Sequence, residues 1–187
     1  MRLFVAVFPP AEVQQAAARV IDALRRDGDG VSWVKPDNLH YTMRFLGEVG
    51  ESGTRRVADA ADRAVRGRKA FDAELGAPGA FPSARRARVL WLGMSRGERP
   101  LLELAGALQT ELARLGFEKE SRPFSAHLTI GRVRESGPRG NDDWSEALAA
   151  AAPAAAAFRV DRLAVVQSQL NPRGSIYMVR HEANLAG

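Results

Sequence analysis

At 187 residues the chain fits one domain, or two small lobes sharing a core, and its 45% apolar content supplies a sizeable interior, so full disorder is excluded. It carries 27 basic against 22 acidic residues, a net charge of +5 with an isoelectric point near 10.4, which favours an anionic partner such as RNA or a phosphorylated small molecule. The lack of cysteine rules out disulfides, thiolate metal sites and a cysteine nucleophile.

Leu3 to Phe8 is a short apolar run cut off by Pro9-Pro10, too short for a signal peptide or a membrane span. It reads as a buried strand leading into a helix over 11–26, with Val13, Ala16, Ala17, Val20, Ile21 and Leu24 on one stripe and Asp27-Gly28-Asp29-Gly30 as its stop. A soluble cytoplasmic protein is the expectation. Residues 31–38 read as irregular, with Trp33 as a core plug rather than a base-stacking platform.

The run Leu39-His40-Tyr41-Thr42-Met43-Arg44-Phe45-Leu46 follows. On a strand, alternation puts His40, Thr42, Arg44 and Leu46 on one face and Leu39, Tyr41, Met43 and Phe45 on the other, which anchors the strand in the core. Beyond it come a polar helix over 54–66, an exposed-face strand over 71–75, and a turn-rich segment from Gly76 to Arg88 holding Pro78, Gly79 and Pro82. Arg85, Arg86 and Arg88 lie in that segment, where a charge run is expected to be solvated. Val89 to Met94 is a buried strand, and a leucine-striped helix runs over 100–115 up to Gly116.

Ala126-His127-Leu128-Thr129-Ile130-Gly131-Arg132-Val133 then repeats the His-x-Thr pattern. Here His127, Thr129, Gly131 and Val133 share a face, and Arg132 falls on the opposite one unless a bulge near Gly131 turns it. A loop with Gly137, Pro138 and Gly140 leads to a short helix capped by Asp142 or Asp143 and ended by Pro153. Strands over 158–167 and 175–181 close the chain as a hairpin around Asn171-Pro172-Arg173-Gly174.

The repetition has weight because the chain holds three histidines and four threonines, yet two of the three histidines have a threonine two places on. Random placement gives that on the order of 0.1% of the time, which outlasts the false-positive discount on short motifs. The two histidines are 87 positions apart (127 − 40), close to half the chain, and helix, His-x-Thr strand, helix, strand, strand recurs around each, as an internal duplication would place them.

Two such strands face to face would set His40 and His127 on opposite walls of one cleft, with Thr42 and Thr129 beside them. That pairing suits a phosphodiester: one imidazole takes a proton from the nucleophile while the other gives one to the leaving oxygen, each worth about 10²–10⁴ in rate, and hydroxyls donate to the charged phosphoryl oxygens. Against it stands the plain reading of polar residues on strand faces, which the doubling disfavours. A zinc site is disfavoured too, since Asp37 is the only carboxylate within four residues of either histidine. A serine hydrolase needs one histidine, not two in matched settings, and His181, lacking a threonine partner, is a strand-surface residue.

Trp33-Val34-Lys35-Pro36 with Asn38 to Val49, Arg88 to Gly93, Arg122-Pro123-Phe124 with His127 to Val133, and Ser168 with Gly174 to Tyr177 resemble the RNA 2′,3′-cyclic phosphodiesterases, or 2′-5′ RNA ligase (LigT-like) proteins, of the 2H phosphoesterase superfamily. The resemblance spans nearly the whole chain; where members often have proline before the second histidine, this chain has Ala126. It implies an α+β, bilobal, pseudo-two-fold fold over residues 1–187, with antiparallel sheets lining a central cleft and helices outside. It further implies no metal or organic cofactor, and hydrolysis of RNA 2′,3′-cyclic phosphate ends to 2′-phosphates, reversible as 2′-5′ ligation. His40 would be the proton donor to the leaving 3′ oxygen, His127 the acceptor that activates water, and Thr42 and Thr129 the phosphate holders. Arg44 and Arg132 are further candidates for substrate contact. A monomer with no obligate protein partner and no membrane association is expected. The alternatives are a non-catalytic module that binds RNA ends, motivated by the basic balance, and a 2H phosphodiesterase acting on small cyclic nucleotides or ADP-ribose cyclic phosphate.

Overall fold

The computed structural model describes residues 1–134, 143–171 and 174–187. Its strands are β1 (Arg2–Val7), β2 (Val31–Trp33), β3 (Tyr41–Glu48), β4 (Phe71–Phe81), β5 (Val89–Arg96), β6 (Leu128–Val133), β7 (Ala157–Val160), β8 (Arg162–Gln169) and β9 (Ile176–Asn184). The helices are α1 (Ala11–Leu24), α2 (Glu51–Val65), α3 (Glu98–Arg114) and α4 (Ser145–Ala150). The strands join in the order β7-β4-β5-β6-β3-β1-β8-β9, with β2 also paired to β6, and every ladder between them is antiparallel. β7 and β8 are separated by Asp161 alone yet lie near opposite ends of that order, so the sheet must curl back toward itself.

Alternation along β1 shows how the two faces are used. Leu3, Val5 and Val7 enter the main core with the buried stripes of α1, α2 and α3, whereas Phe4 and Ala6 join Ala164 and Val166 in a smaller cluster on the other face, against Phe8 and Tyr177. Helices therefore cover one side of the curled sheet. The other side is left to line a cleft. The α1 stripe is buried as its spacing predicts, and α3 sinks Leu101, Leu104, Leu108 and Leu112 to within 1% of full burial, each contributing about 1.5–3 kcal/mol.

Several elements depart from the sequence reading. Residues 31–33 are strand, not irregular: Val31, Ser32 and Trp33 pair with Val133, Arg132 and Gly131. The expected turn at Pro78-Gly79 is part of β4, which runs to Phe81 because register shifts around Leu75–Pro78 absorb the irregular residues. Gly79 is needed there since a Cβ would sit 2.4 Å from the Trp91 indole. The expected strand over 158–167 is two strands broken at Asp161, one pairing with β4 and the other with β1. Helix α2 begins at Glu51, and α4 is confined to Ser145–Ala150, preceded by Asp143, whose Oδ1 accepts the Ser145 N–H at 2.9 Å. Gly137, Pro138, Gly140, Asp142, Pro172 and Arg173 lie outside the described residues. No helix among the described residues is long and apolar enough to cross a membrane.

Candidate active site

β3 and β6 meet at a single backbone pair, Tyr41 with Leu128, and both side chains are fully buried on the helix side. Tyr41 is fastened there by its hydroxyl, which donates to the Gly93 carbonyl of β5 at 3.1 Å. With Tyr41 and Leu128 pointing into the core, alternation turns His40, Thr42, His127 and Thr129 onto the cleft face. The register of the pair sets His40 toward Thr129 and Thr42 toward His127, each motif facing the other in reverse.

Both histidines are held in the same way. His40 Nδ1 is 2.6 Å from the Asn38 carbonyl, and His127 Nδ1 is 2.8 Å from the Ser125 carbonyl, in each case two residues upstream. A carbonyl only accepts, so each Nδ1 carries the proton and donates it, leaving Nε2 as the ring nitrogen open to proton exchange. The ring walls differ. His40 is boxed by Phe4 at 4.9 Å, Phe8 at 5.3 Å and Tyr177 at 5.4 Å, while His127 meets Phe81 at 5.1 Å and Trp91 at 6.5 Å.

Burial pushes both imidazoles below the ordinary histidine value of about 6.5. The carbonyl bonds from Asn38 and Ser125 pull back upward, and the Arg132 guanidinium lowers both; His127 lowers His40 further. One cation therefore acts on both rings.

Arg132 owes that position to a bulge. Leu90 pairs with Gly131 and Trp91 with Thr129, so Ile130 is an extra residue in β6 and the alternation reverses after it. The same irregularity occurs in β3, where Val5 pairs with Arg44 and Ala6 with Thr42, leaving Met43 extra. Met43 and Ile130 are equivalent positions, 87 apart (130 − 43). The bulges reverse the alternation beyond each motif, so Arg44 and Val133, expected on the histidine faces, turn to the helix side, Arg44 toward Gln109 of α3 and Val133 into the core. Arg132 lines the cleft with His127 and Thr129, and Phe45, expected in the core, is 58% exposed and paired with Phe4 on the cleft side.

The other candidates separate. Thr42 and Thr129 line a cavity of about 1020 Å³ that includes His127 and Arg132. Arg44 also lines it, but its guanidinium is engaged: it donates to Gln109 Oε1 at 3.1 Å and to the Glu118 carbonyl, and pairs with Glu120 at 3.2 Å. Trp33 is structural, its indole N–H donating to the buried Asp29 carboxylate at 2.9 Å. His181 is tied to Asp62 of α2 at 2.8 Å, and Arg85 pairs with Asp143 at 3.7 Å. Sequence reasoning did not single out Phe4, Phe8, Tyr177 or Phe81 as walls, nor Asn38 and Ser125 as orienting groups. The equal i−2 spacing before each histidine was a signal for the last two.

The family model for the 2′-5′ RNA ligase superfamily matches residues 9–172 of the chain. The RNA 2′,3′-cyclic phosphodiesterase of Thermotoga maritima is 35% identical over 187 residues, covering 100% of this chain and 97% of that protein. The protein of the same name from Methanothermobacter thermautotrophicus is 34% identical over 178 residues, covering 95% of each. Among solved structures, TT0787 of Thermus thermophilus aligns with a TM-score of 0.81 at 28% identity, over 100% of this chain and 99% of that one. Escherichia coli LigT complexed with 3′-AMP aligns with a TM-score of 0.75 at 28% identity, over 100% and 98%.

Proposed function

The chain belongs to the 2′-5′ RNA ligase superfamily, and on that premise we propose that it hydrolyses RNA 2′,3′-cyclic phosphate ends to 2′-phosphomonoesters with His40 and His127 as acid and base. The observation that carries the reading is the matched pair of Nδ1-anchored imidazoles on one cleft face, with one arginine acting on both.

In this reading the terminal phosphate sits between the two strands, with Thr42 and Thr129 hydroxyls donating to its non-bridging oxygens and the Arg132 guanidinium facing its negative charge. His127 Nε2 takes a proton from water as the water oxygen bonds to phosphorus. The bond from phosphorus to the ribose 3′ oxygen breaks, and His40 Nε2–H protonates that oxygen, leaving a 2′-phosphate and a free 3′ hydroxyl. Binding of the anionic phosphate offsets the Arg132 charge, which lets His40 hold its proton until the leaving oxygen needs it. With an RNA 5′ hydroxyl in place of water the same step forms a 2′-5′ linkage: the hydroxyl oxygen bonds to phosphorus as His127 takes its proton, and the 3′ oxygen leaves with the proton of His40. The 3′-AMP held by the structurally similar LigT supports a cleft that accepts a ribose phosphate. Residues 1–187 act here as one domain of two related lobes, a cytoplasmic monomer working on RNA ends.

The test is mass analysis of the product from an RNA ending in a 2′,3′-cyclic phosphate, incubated with chelator, for wild type and for His40→Ala and His127→Ala. Wild type yields a 2′-phosphate, and each variant loses turnover by at least about 10² while keeping its melting temperature. Near-normal turnover in either variant would refute the assignment. Intact cyclic ends alongside steeply salt-dependent RNA binding would instead mark a module that binds without chemistry.

A further inference from the structure

Residues 87 positions apart are structural counterparts: His40 with His127, Thr42 with Thr129, the bulged Met43 with Ile130, and Arg44 with Gly131. By the same offset, β2 (Val31–Trp33) corresponds to Glu118–Glu120, but the two segments are placed differently. Trp33 pairs directly with Gly131, so β2 closes the space along β6. Its counterpart Glu120 forms no ladder with β3, and the connection is made by the side chain of Arg44, to Glu120 at 3.2 Å and to the Glu118 carbonyl. The length of an arginine side chain thus separates two segments whose counterparts hydrogen-bond backbone to backbone. The cavity of about 1020 Å³ occupies that gap, beginning at Thr42 and His127 and backed by α3.

We infer that this gap is a second nucleotide subsite, holding one nucleotide of single-stranded RNA beyond the ribose phosphate that reacts. The inference rests on the proposed function for the identity of the first nucleotide. Its size lies at the upper end of small-ligand pockets, roughly 300–1,000 Å³, more than a single ribose phosphate fills. The walls offer what an unpaired nucleotide binds: Phe45, 58% exposed, and Leu102, 41% exposed, give apolar faces for a base. Arg122, exposed and without an ion pair among the described residues, supplies a cation for a phosphodiester. The floor is bare at Gly106, in the interior of α3, where glycine is a poor helix former and where an added Cβ would meet open space. Nothing in the local packing requires glycine there. A side chain at that position would project into the gap.

The occupant is either the nucleotide 5′ to the reacting one on the same strand or a nucleotide of a separate strand, and two arms of one binding experiment distinguish them. The first compares the affinities of adenosine 2′-phosphate and of a diadenylate ending in a 2′-phosphate, for wild type, Gly106→Leu and Phe45→Ala. Wild type should bind the linked diadenylate about tenfold more tightly or better, and both substitutions should bring the ratio toward one. The second arm adds an unlinked diadenylate with a free 5′ hydroxyl to protein saturated with adenosine 2′-phosphate; binding lost in Gly106→Leu assigns the gap to a separate strand. Gly106→Leu raises helix propensity, so circular dichroism and melting temperature should show a folded protein. A wild-type ratio near one with no binding in the second arm overturns the subsite, as does binding in either arm that Gly106→Leu leaves intact. Hydrolysis of a cyclic-phosphate RNA is followed separately: its absence with the affinity pattern intact removes the catalytic reading and leaves the subsite standing.

Discussion

Tyr41 and Leu128 form the backbone pair on which β3 and β6 join, and the two cleft-facing His-x-Thr motifs are arranged about that point. On one side β2 fills the space along β6, beside the aromatic box around His40. On the other, past Thr42 and His127, the strands diverge into an open gap. The two histidines are therefore alike in their tethers and unlike in their surroundings.

Arg132 should set the pH range of the reaction. Its charge lowers both imidazoles, which burial already holds below about 6.5, so both limbs of the kcat/KM profile for wild type should fall on the acid side of that value. Arg132→Gln removes the cation, raises both histidines, and should move the whole bell to higher pH while lowering its height. A profile with unmoved limbs would separate Arg132 from the two rings.

Thr42 and Thr129 flank the two histidines on the cleft face and line the cavity with His127. Loss of one hydroxyl aimed at developing phosphoryl charge costs about 10²–10³ in kcat where the donor is preorganised. Thr42→Ala and Thr129→Ala should each show a drop of that order, and the Ser variants should recover most of it. Single-turnover rates would check this, and an equal loss in Ala and Ser variants would point to the methyl group instead.

The buried histidines also make stability pH-dependent. Their folded pKa values lie below the unfolded value of about 6.5, so as pH falls the unfolded chain takes up protons first. Stability should be full above about 6.5 and decline as pH drops from there toward the folded values. Melting temperatures between pH 7 and pH 5 should fall less steeply in His40→Gln than in wild type.

Asp29 is the buried anchor of the turn before β2. Its carboxylate accepts from Arg26 N–H at 3.1 Å, Val31 N–H at 2.8 Å and the Trp33 indole N–H at 2.9 Å. Asp29→Ala strands these donors at about 1–3 kcal/mol for each that stays buried and unpaired. Urea unfolding should show that loss, with a red shift in the Trp33 emission of the folded state.

Periodicity and composition were enough to locate most of the strands, the apolar stripes of α1 and α3, and the doubled motif, because each is written in neighbouring residues: alternation defines a strand face and i, i+3, i+4 spacing a helix face. The bulges were beyond that reach. Whether Met43 or Ile130 is an extra residue depends on how many residues β1 and β5 set opposite them, and those partners are distant in sequence. Local alternation thus put Phe45 in the core and left Arg132 conditional on a bulge. The strand over Pro78-Gly79 was likewise hidden, since its turn-forming residues are accommodated by the register with β5 and by the Trp91 indole against Gly79.

By itself the amino-acid order determined that two imidazole and hydroxyl pairs would each emerge from one strand face, since the side-chain period of two is a property of any extended chain. Tertiary structure alone decided what surrounds each pair: the pairing of Tyr41 with Leu128 that brings the strands together, the bulges that turn Arg132 and Phe45 into the cleft, and the Arg44 tether to Glu118 and Glu120. Those depend on contacts between residues tens of positions apart, where register and side-chain reach, not local periodicity, select the arrangement.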